Sequence, residues 1–135
     1  MAGHDDFEQI RKLLAEYGRL LDARDPHGWA ALFGEDGEWV GGTRYGAISG
    51  PDALARFVSD EFGATPPSVH IFGNMAIEVD GDTATAWSRW MLLEEDGAGG
   101  VRIVLAGHYD DRLRRTRDGW RFARREVHVD LPQGV

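Results

Sequence analysis

The chain has 135 residues, 42% hydrophobic and 28% charged, with 23 acids against 15 bases and a formal net charge of −8. That is one domain's worth of chain (residues 1–135), with ample apolar material for a core, and its acidity argues against a basic nucleic-acid binder or a polybasic membrane anchor. Cysteine is absent, which excludes disulfides, thiolate catalysis and cysteine zinc sites.

No apolar run approaches the ~20 residues that span a bilayer. The start, Met-Ala-Gly-His-Asp-Asp, lacks the basic and apolar regions of a secretory signal, so a cytoplasmic protein is expected. Asp5 and Glu8 fit a capping box with Asp5 as N-cap. Phe7, Ile10, Leu13, Leu14, Tyr17, Leu20 and Leu21 follow at spacings of three and four, one apolar stripe on a helix of about five turns. Gly18 either weakens that helix locally or permits a close approach. Asp25-Pro26 opens a short second helix carrying Trp29, Leu32 and Phe33 and ending at Gly34. Glu38–Val40 and Arg44–Ile48 read as two short strands around Gly41-Gly42. Ser49-Gly50-Pro51 opens a third helix with Leu54, Phe57, Val58 and Phe62 on its apolar side. Four strands come next, at 69–79, 83–93, 101–115 (bent near Gly107) and 120–129, joined by turns such as Asp80-Gly81-Asp82. Early helices and a late antiparallel meander predict an α+β fold: a curved sheet around the long first helix, with room for a pocket at its open end.

Seven of the fifteen bases fall between Arg112 and Arg125. The expectation is that two strands expose alternate arginines, forming an assembly surface rather than a nucleic-acid site, because aromatics suited to base stacking are not interleaved.

There is no P-loop, dinucleotide fingerprint or nucleophile elbow. The histidines are His4, His27, His70, His108 and His128, and none pairs with another at metal-ligand spacing on a helix, so no metal is expected. His4 and His27 read as surface residues. Alternation puts His70 with Phe72 on one strand face and Val69 with Ile71 on the other. On the residues alone His70 is a satisfied structural histidine. Asp22 sits in the last turn of the first helix, where a negative charge meets the negative end of the macrodipole and calls for a compensating partner, although a solvated aspartate is the plain reading. Tyr17 reads as core.

The segments Leu21-Asp22-Ala23-Arg24-Asp25, His70-Ile71-Phe72-Gly73-Asn74, Asp80-Gly81-Asp82-Thr83-Ala84 and Gly107-His108-Tyr109-Asp110-Asp111 occur in that order and end in Arg117-Asp118-Gly119-Trp120-Arg121-Phe122. From about Phe7 to Val129 the pattern resembles the SnoaL-like proteins of the nuclear transport factor 2-like superfamily. The resemblance implies a cone-shaped, strongly bent antiparallel sheet with an apolar pocket. The branch it resembles includes scytalone dehydratase, bile-acid 7α-dehydratase and lindane dehydrochlorinase, which use an Asp–His dyad without a cofactor. Asp22 and His70 match the dyad positions, and Tyr17 matches a tyrosine of the bile-acid enzyme. The resemblance thus implies a lyase or isomerase acting on a small hydrophobic cyclic substrate. A non-catalytic binding or assembly module, such as a dioxygenase small subunit, and a polyketide cyclase or ketosteroid isomerase-like enzyme are the alternatives. Trp29, Trp39, Tyr45, Phe57, Phe72, Trp87 and Trp90 are candidates to line the pocket. His108 or His128 answers to the second pocket histidine of scytalone dehydratase, although alternation sets His108 opposite Val101, Ile103, Leu105 and Tyr109. Arg89, Arg102 and Arg125 are the open choices for a cation that helps a leaving group depart. Family members commonly form homo-oligomers, dimers or trimers among them, through the outer sheet face.

Overall fold

The computed structural model describes residues 4–63 and 65–134. Helix α1 (His4–Asp22) is followed by α2 (Pro26–Ala31), β1 (Glu38–Val40), α3 (Gly42–Tyr45), β2 (Ala47–Ser49), α4 (Pro51–Phe57) with a π-helical turn (Val58–Phe62), then β3 (Ser68–Asp80), β4 (Thr83–Glu95), β5 (Val101–Thr116) and β6 (Gly119–Leu131). The strands form one sheet in the order β2-β1-β6-β5-β4-β3. All neighbours are antiparallel except β1 and β6.

The apolar stripe of α1 is buried at Ile10, Leu13, Leu14, Tyr17 and Leu21, against Trp29, Phe33, Leu113 and Phe122. Asp5 lies inside the first turn rather than capping it, and with Asp6 it puts negative charge at the positive end of the helix. Asp6 also accepts from Arg115 at 2.7 Å and from Trp120 Nε1 at 3.2 Å, which pins the start of α1 to the β5–β6 hairpin. The side chain of His4 lies outside the described residues; His27 is exposed.

The other end of α1 closes on Arg24, whose φ of 57° is left-handed. Its N–H bonds Leu21 O, and Asp25 N–H bonds Leu20 O, each at 3.0 Å, a Schellman closure. The Arg24 guanidinium then donates to Leu21 O and to Pro66 O, both at 3.0 Å, fastening the end of α1 to the segment that leads into β3. Asp25 caps α2 as expected, its side chain accepting from Gly28 N–H at 3.0 Å.

The strand expected over Arg44–Ile48 is instead a single helical turn, α3, followed by β2. Gly42 (φ 68°) and Gly46 (φ 64°) adopt left-handed backbone and bracket the turn, and Gly41 N–H bonds Gly46 O at 2.9 Å. Tyr45 is thereby folded onto Trp39 and Phe57.

Register shifts in the long strands, at Gly73–Ala76, opposite Leu92–Leu93, at Ala106–Gly107 and at Arg112–Leu113, curve the sheet around α1. The shift beside Leu105 breaks the expected alternation: Val101 and Ile103 are exposed, while Tyr109 stays buried. At Gly107 the strands approach so closely that a Cβ would stand 1.9 Å from His128 O and 2.7 Å from the Trp90 ring.

The basic run is not a uniform outer face. Arg125 is buried in a bidentate pair with Asp111, at 2.7 and 2.8 Å. Arg114, Arg115 and Arg124 pair within the chain, with Asp36, with Asp6 and Asp82, and with Glu38 and Glu126 respectively.

Candidate active site

Asp22 is the last residue of α1, and His70 is the third residue of β3. Asp22 Oδ1 lies 2.6 Å from His70 Nδ1, and Asp22 Oδ2 accepts the His70 backbone N–H at 2.9 Å. One carboxylate therefore receives a ring N–H and a main-chain N–H from the same residue. These donors supply the partner that a carboxylate at a helix C-terminus requires. Gly18, one turn earlier on α1, faces the His70 Cβ, so α1 and β3 pack closely where the two groups meet.

His70, its Nδ1 engaged by Asp22, lines a cavity of about 240 Å³. Its walls are Leu21, Leu92, Leu105, Val127 and Val129, the aromatic rings of Trp39, Tyr45, Phe62 and Trp90, and two phenols, Tyr17 and Tyr109. A larger groove of about 470 Å³ crosses the outer sheet face, but charged side chains line it, among them Glu78, Asp110, Arg112, Arg124 and Glu126. The inner cavity combines apolar walls with a few convergent polar groups.

Tyr17 accepts a hydrogen bond from Trp39 Nε1 at 2.9 Å. Its own O–H stays available as a donor. Burial pushes the Tyr17 phenol above its usual range, against the opposing pull of the nearby Arg125 cation. Tyr109 is pushed up further, again chiefly by burial and next by Tyr17. Both phenols are therefore neutral donors at any ordinary pH. The Arg125 guanidinium carbon stands 4.2 Å from the Tyr17 ring centroid, 3.7 Å from Tyr109 and 4.4 Å from Phe122. It is thus held both by Asp111 and by three ring faces, each worth up to ~2 kcal/mol when desolvated. Burial raises the Asp111 pKa, with the Arg125 charge opposing.

Of the residues singled out by sequence, the structure brings Asp22, His70, Tyr17, Trp39, Tyr45 and Trp90 together. It does not bring the others to the cavity. Trp29 and Phe57 are buried behind the wall, Trp29 against Tyr17 and Phe33, and Phe57 against Trp39 and Phe62. Phe72 shares the inner strand face with His70 but borders a separate surface groove with Ile71 and Met91. Trp87, His108 and His128 are on the outer face of the sheet, where Trp87 stacks on His108 and His108 on His128; strand alternation turns the two histidines away from Tyr109 and Val127, their neighbours in the chain, and Trp87 away from the buried Ala86 and Ser88. Among the arginines, Arg125 backs the cavity phenols, whereas Arg89 pairs with Asp130 outside. Sequence reasoning missed Tyr109 as a site residue and the Asp111–Arg125 pair beneath it. The signal was present: Leu105, Gly107, Tyr109, Asp111 and Leu113 alternate onto one face.

A SnoaL-like domain model matches residues 4–126. The chain belongs to the SnoaL-like family. It is 32% identical over 124 residues to the uncharacterized protein Rv2910c of Mycobacterium tuberculosis, covering 87% of this chain and 80% of the relative. An NTF2-like protein with a cystatin-like fold from Novosphingobium aromaticivorans superposes with a TM-score of 0.88 at 29% identity, covering 96% of this chain and 85% of that one. A second protein of that organism, provisionally named a scytalone dehydratase, superposes with a TM-score of 0.79 at 26% identity, covering 93% and 84%. The SnoaL-like cone, a bent sheet closed over α1, is therefore the fold. Among the described residues, no helix of this SnoaL-like chain is long and apolar enough to cross a membrane.

Proposed function

We propose that the protein is a lyase or isomerase of the dehydratase or cyclase type, acting on a small hydrophobic cyclic compound. The observation that carries this reading is the Asp22–His70 pair, 2.6 Å apart, with the imidazole set in the wall of an apolar cavity. The likeness to a protein provisionally named a scytalone dehydratase supports it.

In this reading Asp22 holds the Nδ1–H tautomer, so His70 Nε2 carries the lone pair. Nε2 takes a proton from a carbon next to a substrate carbonyl, and the electron pair moves onto the carbonyl oxygen. Tyr17, and Tyr109 beside it, donate to that oxygen as charge develops. Asp22 stabilises the imidazolium formed. Hydroxide then leaves the β-carbon, takes the proton back from Nε2 and departs as water, and the double bond forms. The apolar walls exclude bulk water and strengthen each of these interactions. The volume of about 240 Å³ lies just below the ~300–1,000 Å³ usual for drug-sized ligands, which favours one or two fused rings.

The test is a native mass-spectrometric screen of hydrophobic ring ketones and hydroxy-ketones, followed by product analysis. Loss of water or ring closure by wild type, and its loss in His70→Ala, is the expected result. Equal turnover by folded Asp22→Asn and His70→Ala variants would remove the dyad. Tight binding with no turnover would favour a carrier instead.

A further inference from the structure

His108 and His128 are directly opposed across β5 and β6 on the outer sheet face. Their rings stack with centroids 4.5 Å apart and planes at 7°. His108 Nδ1 lies 2.8 Å from Asp130 Oδ2, which also accepts from Arg89 at 3.0 Å. A carboxylate at Nδ1 fixes the proton there and frees the Nε2 lone pair. That Nε2 is 3.6 Å from Asp110 Oδ2. His128 Nε2 is 3.3 Å from the same oxygen and 3.8 Å from Glu126 Oε1. It is a buried atom with no hydrogen-bond partner among the described residues. The ligand atoms of His108, Asp110 and His128 all lie within 4.8 Å of one another.

Two carboxylates thus converge on imidazole nitrogens that no donor satisfies. A cation between them resolves the conflict. Tetrahedral coordination at ~2.0–2.1 Å sets ligand atoms about 3.4 Å apart. Both distances to Asp110 are close to that edge. The imidazole pair reaches it when the stacked rings tilt their Nε2 edges together.

We propose that His108, Asp110 and His128 form a binding site for a divalent transition metal of the zinc class, with Glu126 as a fourth ligand and Asp130 as the outer support of His108. Two imidazoles with carboxylates suit zinc, cobalt or nickel, whereas magnesium and calcium prefer all-oxygen sets. The site stands on the face opposite the cavity. It does not involve Asp22 or His70, and it is independent of the proposed reaction. Sequence spacing hid it, because a β-hairpin rather than a helix brings together residues twenty positions apart.

The experiment uses the full chain, stripped with chelator and titrated with zinc chloride by calorimetry and with cobalt chloride by visible absorption. One ion per chain is expected, with the intense absorption of tetrahedral cobalt. His108→Gln and His128→Gln should each weaken zinc binding at least about tenfold, and Asp130→Asn about tenfold as an outer-shell change. His70→Gln and His27→Gln should leave it unchanged. Zinc should raise the Tm of wild type and not that of the double variant His108→Gln/His128→Gln. Independently of any variant, cobalt should shift the ring protons of His108 and His128 and spare those of His70. Absence of saturable zinc binding by the folded wild type overturns the proposal, as does undiminished binding by the double variant or a cobalt effect centred on His70.

Discussion

Asp22 accepts both the Nδ1 side of the His70 ring and the His70 main-chain N–H, at 2.6 and 2.9 Å. The second bond fixes the backbone from which the ring projects, so the carboxylate sets position as well as tautomer. Asp22→Asn keeps an acceptor for the main chain but offers an N–H toward Nδ1. The imidazole then favours the other tautomer, which puts a proton on the nitrogen proposed as base. A fall in kcat of about 10²–10⁴ is expected. The tautomer change is readable without substrate, from the ring ¹⁵N shifts of His70. Unchanged shifts in the variant would contradict this assignment.

Tyr17 has one observed bond and one proposed task, and a single substitution removes both with different readouts. Tyr17→Phe leaves the buried Trp39 Nε1–H without its acceptor, a loss of about 1–3 kcal/mol in stability. It also removes the donor proposed for the developing oxyanion, so kcat should fall about 10²-fold with KM little changed. A lowered Tm with full kcat would leave Tyr17 a purely structural residue.

The buried Asp111–Arg125 pair gives an asymmetric prediction. Both side chains are essentially inaccessible. Arg125→Met leaves the Asp111 carboxyl unpartnered in the core, and unfolding by urea should show a loss of about 3–5 kcal/mol. Asp111→Leu/Arg125→Met removes both charges, and should recover most of that loss. Recovery would mean that the pair serves position rather than stability. The groups it positions are the two cavity phenols, against which Arg125 lies.

Tyr17 and Tyr109 have pKa values above 10.0 in the folded chain. Between the unfolded and folded values the unfolded chain has lost protons that the folded chain keeps, so stability falls as pH rises. Their contribution is complete below pH 10 and is lost above it. Tyrosinate absorbance from these two residues, isolated by difference against Tyr17→Phe and Tyr109→Phe, should appear only with alkaline unfolding. Reversible ionisation of either below pH 10, with near-UV circular dichroism intact, would show that water reaches it.

Much of the fold was legible because its elements carry strong local signals. The α1 stripe, the Asp25-Pro26 start of α2 and the four long strands needed only periodicity and turn chemistry. The region 41–50 was less so, since glycines that look like a strand connection equally support a helical turn. At the site, the Asp22–His70 pairing rested on resemblance, because a helix end and a strand start forty-eight residues apart share no local pattern. Alternation alone set His108 opposite Tyr109, on the outer face, but the outer placement of His128 and the burial of Arg125 were hidden by the β6 bulge opposite Arg112–Leu113. Each register shift reverses the faces of the residues beyond it, and no composition rule locates a bulge.

Two glycines make opposite predictions about the same packing. At Gly107 an added Cβ would stand 1.9 Å from the carbonyl oxygen of His128, a backbone atom that cannot turn aside. Gly107→Ala should force β5 and β6 apart beside Trp90, destabilise the chain by ~3 kcal/mol or more as overpacking does, and disturb the cavity wall. At Gly18 the same Cβ would rest 3.5 Å from the His70 Cβ, in ordinary contact. Gly18→Ala should gain helix propensity of roughly 0.5–1 kcal/mol and leave the dyad in place. Urea unfolding measures both, and the His70 ring shifts report whether Asp22 still holds it. A destabilised Gly18→Ala with altered His70 shifts would show that α1 and β3 approach more closely than this packing allows.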